Sequence, residues 1–181
     1  MKVKKKVDEG VLMPLKIPDE IKGIVEENDK EKIIETIKKF IKEDKLGLAH
    51  ILIVVSLSKQ DKFRYGVFAV ETLPHTTSFT KQVLEDVRRF LLVEDNKEEI
   101  KNKYASKGVA NNLEYGEYPA YYLAKAPIYE GKYCEYFVAN AVSMAIAFYN
   151  SYIVGNVNHY VFTILKYGLA LLKAHNGLRN I

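Results

Sequence analysis

"YPAYYLAKAPIYEGKYCEYF", residues Tyr118 to Phe137, places six tyrosines and four charged residues in twenty positions. Gly116, Pro119, Pro127 and Gly131 punctuate it. Taken as breakers, they leave pieces too short for helices, so "AYYLAKA" and "KYCEYFVANA" are expected to be strands. Alternation then puts Tyr133 and Phe137 on one face of a strand, and Cys134 and Tyr136 on the other. Tyrosine suits a half-buried pleated surface, where the ring packs and the hydroxyl stays wet. Its other use, stacking on bases, needs a positive groove to neutralise phosphate. Residues 108–158 carry four Glu against two Lys. The tyrosines are therefore read as structural.

Downstream, "MAIAFY", "NS" and "YIVGNV" read as a further hairpin around Asn150-Ser151, and Asn158 as the cap of a last helix over 159–174 with Gly177 beyond it. From Tyr136 to Asn158 there is no charge over 23 positions, a length that would span a bilayer. Six Asn and Ser residues within it are costly in hydrocarbon, so no membrane span is expected.

Upstream, "VLMPLKIP" (Val11 to Pro18) reads as an extended segment confined by its prolines to an edge. Asn28 and Glu31 have capping-box spacing ahead of a helix striped with Ile33, Ile34, Ile37, Phe40 and Ile41, which Gly47 would end. "LAHILIVVSLS" (Leu48 to Ser58) is rich in β-branched residues and reads as a strand, with "RYGVFAVETL" (Arg64 to Leu73) as its hairpin partner. A second helix follows "PHTTS", burying Phe79, Val83, Val87, Phe90 and Leu91, and "EDNKEEIKNKYASKG" reads as a helical extension or loop.

The order predicts an α+β sandwich: a mainly antiparallel sheet of about five to seven strands flanked by three main helices. That element order loosely resembles the Mog1/PsbP-like folds, in which helices flank a central antiparallel sheet. The resemblance spans most of the chain, rests on no shared motif, and implies no site residue or activity. A length of 181 residues without a repeat or linker suits one domain, with residues 1–9 as a basic arm. One cysteine, Cys134, excludes an intrachain disulfide and a cysteine-rich metal site and suits a reducing cytoplasm. Abundant Lys and Glu with only two Gln give the composition a thermophile-like, archaeal-like cast.

Three places could carry function. The loop Pro74 to Ser78 leaves an expected strand and enters a helix, so His75, Thr76, Thr77 and Ser78 could bind a small anion at the helix start. On the last helix, apolar residues spread round most of the circumference, so Val161, Leu165, Leu169 and Leu172 are candidates for an interface. Lys2, Lys4, Lys5 and Lys6 form a basic arm suited to weak contact with nucleic acid. His50 reads as a core histidine with a backbone partner, and Cys134 as a small buried hydrophobe. The four histidines lack paired spacing, so no metal or cofactor is expected. No phosphate-binding, dinucleotide or nucleophile-elbow motif is present. The expectation is a cytoplasmic, non-catalytic binding domain acting through a homo-oligomer or a protein partner, not a membrane and in preference to nucleic acid. The alternative is an anion binder or enzyme using the loop Pro74 to Ser78.

Overall fold

A computed structural model describes residues 15–74, 76–93, 96–105, 109, 113–152 and 157–174. Among them stand nine α-helices, two single 3-10 turns and no strand. The helices are α1 (Asp19–Glu27), α2 (Lys30–Lys42), α3 (Leu46–Ser56), α4 (Lys59–Glu71), α5 (Ser78–Val93), α6 (Lys97–Tyr104), α7 (Tyr118–Lys125), α8 (Gly131–Tyr152) and α9 (Val157–Ala174). The α+β sandwich, its antiparallel sheet and the resemblance to Mog1/PsbP-like folds are therefore overturned; this is an all-helical fold.

Two helices match the sequence closely. In α2 the buried residues are Ile33, Ile34, Ile37 and Phe40, and in α5 they include Val83, Val87 and Phe90. Both are amphipathic surface helices, whose 3.6-residue period is legible without tertiary knowledge. The cap of α2 is Asp29, one residue past the expected Asn28: its carboxylate accepts from the backbone N–H groups of Glu31 and Lys32 at 3.0 and 3.2 Å. The end falls at Lys42, where Asp44 takes the left-handed conformation at φ 59°; Gly47 lies inside α3.

The segments expected to be strands failed for a common reason. Helix α3 packs against α1, α2, α8 and α9, and α4 against α5, α7, α8 and α9. Such helices are apolar on almost every side, and a short apolar run has no period that separates a buried helix from a buried strand. Burying an Ile or Leu side chain yields roughly 1.5–3 kcal/mol. Fully buried Leu52, Ile53 and Val54 therefore override the weak β preference of "ILIVV".

The opening stretch failed through its punctuation. Pro119 lies in the first turn of α7 and Pro127 in the first turn of the 3-10 segment Ala126–Ile128, positions where a missing N–H costs nothing. Gly131 starts α8 at φ +54°. The breakers mark the beginnings of helices, not the gaps between strands. Beyond Gly131, buried Cys134, Phe137, Val138, Ala141, Val142, Ala145, Phe148 and Tyr149 recur at intervals of three and four, a helical stripe that the expected hairpin cut in two. Three of the tyrosines pack where α7, the 3-10 turn and α8 meet: Phe137 stacks on Tyr129 at 4.8 Å and meets Tyr136 edge-on at 5.4 Å, with Tyr122 beside it at 6.3 Å, whereas Tyr133 is exposed.

Helix α8, 22 residues and about 33 Å long at ~1.5 Å per residue, is the axis of the molecule. It packs against α3, α4, α7 and α9. No helix among the described residues is long and apolar enough to cross a membrane. Of the polar residues in "FVANAVSMA", Asn140 is satisfied by the helix itself, its amide donating to the Tyr136 carbonyl at 2.7 Å, and Ser143 is exposed.

Candidate functional site

Where α4 begins, Ser58 caps the helix: its hydroxyl accepts from the Asp61 N–H at 3.2 Å and donates to the Asp61 carboxylate at 2.8 Å. This cap sets the phase of the first turn, so that Lys59 and Lys62, three residues apart, share one side. Opposite them, the chain leaves the 3-10 turn through Tyr129 and Glu130 and enters α8 at Gly131. The two helix starts enclose a cleft of about 400 Å³ lined by Lys59, Lys62, Glu130, Gly131, Cys134 and Glu135, with Tyr129 at its edge.

Its wall carries an ion pair made between helices. The Lys62 ammonium donates to the Glu135 carboxylate at 2.6 Å, and the two side chains are only 12% and 17% exposed. Such a pair is largely withdrawn from water, and removing either partner leaves the other poorly solvated. Glu130 is turned outward, 84% exposed, and pairs with Lys97 at 3.5 Å. Lys59 lies 5.8 Å from the centre of the Phe90 ring. The floor is the thiol of Cys134, a buried residue whose pKa is pushed up to about 11, chiefly by burial. Three ammonium groups, Lys62, Lys59 and Lys97, oppose that shift, and one carboxylate, Glu135, adds to it. The cleft thus has a protonated thiol at its base and the Lys62–Glu135 pair in its wall.

The residues singled out from the sequence lie elsewhere. Thr77 caps α5, its hydroxyl accepting from the Thr80 N–H at 3.2 Å and donating to the Glu117 carboxylate at 2.6 Å. Glu117 is itself buried and accepts from the backbone N–H of Glu114 at 3.0 Å. A carboxylate of the chain already meets this helix start. Thr76 and Ser78 are exposed, and His75 lies outside the described residues. Val161, Leu165, Leu169 and Leu172 are buried in the chain's own core, and the solvent side of α9 carries Tyr160, Lys166, Ala170 and Lys173. Lys2, Lys4, Lys5 and Lys6 lie outside the described residues. His50 is buried with a backbone partner, as its apolar surroundings suggested. Among the described residues no group of three or more His, Cys, Asp or Glu is arranged to hold a metal ion.

Sequence reasoning passed over the cleft because its two walls lie about 70 positions apart. Cys134 beside Glu135 was visible, but neither its lysine neighbours nor the helical phase that unites them was. Comparisons with protein-family models, with curated proteins and with solved structures find no match to this chain.

Proposed function

We propose that the chain is a non-catalytic binding domain that takes a small polar molecule into the cleft between the starts of α4 and α8. The observation that carries this is the concavity of about 400 Å³ walled by the Lys62–Glu135 pair and floored by a buried thiol. A volume of that size suits a small ligand, and convergent polar groups in it supply orientation. The state of those groups favours binding over chemistry. The thiol is held protonated, and among the described residues no imidazole lines the cleft to activate it. The test is amide NMR during titration with a small-molecule fragment collection. Shifts centred on Gly131, Cys134 and Glu135 are the expected result; shifts centred on other elements overturn the assignment.

A second reading, association with a protein or with another copy, is favoured by the end of α5, where Leu92 is 84% and Val93 57% exposed. Light scattering at two concentrations tests it. Association that disappears in Leu92→Lys supports this reading, and a concentration-independent monomer removes self-association. Leu169→Lys is a poor probe of the same question, because Leu169 is buried and its replacement threatens the fold.

A further inference from the structure

We draw no further inference here: the strongest candidate, the mainly apolar groove between α3 and α8 lined by Leu15, Ile51, Tyr136, Ala139 and Asn140, is an unpartnered face, and nothing in the structure shows what covers it.

Discussion

The Nε2–H of His50 donates to the carbonyl oxygen of Ala139 at 3.0 Å, joining α3 to the middle of α8 across 89 positions of sequence. A carbonyl can only accept, so this contact fixes the ring as the tautomer protonated on Nε2 and leaves Nδ1 as a buried acceptor without a protein partner.

Acid should weaken the fold through this ring. Burial lowers the His50 pKa from 6.5 to about 4, the bond to Ala139 opposing the shift. Between those values the unfolded chain takes up a proton that the native ring refuses, so stability falls as pH drops from 6.5 to about 4 and levels off below. The difference in pKa corresponds to on the order of 3 kcal/mol. Urea unfolding at pH 7, 5.5 and 4, compared between wild type and His50→Gln, isolates this slope from that of the carboxylates. Equal slopes in the two proteins would remove His50 as its source.

Two tyrosines should respond oppositely to loss of their hydroxyls. The Tyr65 hydroxyl is fully buried near the His50 ring, at 6.0 Å between centroids, and has no hydrogen-bond partner among protein atoms. The Tyr104 hydroxyl donates to Asp86 at 2.7 Å, beside Lys103 at 3.1 Å. Tyr65→Phe is expected to leave stability unchanged or raise it by up to about 1 kcal/mol, and Tyr104→Phe to lower it by about 1–3 kcal/mol. Chemical denaturation measures both. A destabilised Tyr65→Phe would reveal a partner for that hydroxyl, such as an ordered water shared with His50 Nδ1.

Glycines should separate in the same way. A Cβ at Gly168 would lie 2.6 Å from Ile53 Cγ2 and 2.9 Å from the Tyr65 ring, where α9 presses on α3 and α4. Gly168→Ala is expected to lower stability by about 1–3 kcal/mol through overpacking. Gly23, exposed in α1, has nothing within 4 Å, and Gly23→Ala should raise stability by about 0.5–1 kcal/mol. Thermal melts of the two variants moving in the same direction would contradict this packing.

Cys134 should be slow to alkylate. Its thiol, pushed from 9.0 up to about 11 mainly by burial, carries roughly a hundredfold less thiolate at pH 8 than an ordinary cysteine. Iodoacetamide labelling followed by mass spectrometry should be at least that much slower in the folded protein than in urea. Comparable rates would mean that the cleft floor is open.

The one-sided helices were legible from residue order alone. In α2 and α5 a single apolar stripe faces the core, so the period survives in the sequence, and so does the polar end cap, displaced by one residue at Asp29. His50 was legible as a core residue because an isolated imidazole among Ile, Leu and Val needs only one backbone partner. The interior helices were not legible. Helix α3 is surrounded by four others, and α4 likewise, which erases the contrast between faces on which the period depends. Proline and glycine misled in α7 and α8 because a residue that breaks a helix interior is equally at home in its first turn.

Residue order by itself determined which segments are apolar, which are charged, and where an amphipathic surface helix must run. Tertiary structure alone decided that the apolar segments are helices, because only neighbours on every side stabilise a helix with no polar face. It also decided the cleft: Lys62 and Glu135 stand 73 positions apart, and their 2.6 Å contact exists only because α4 and α8 pack together. A charge pair of that separation leaves no trace in local spacing, since what brings it together is the burial of the apolar faces beneath it.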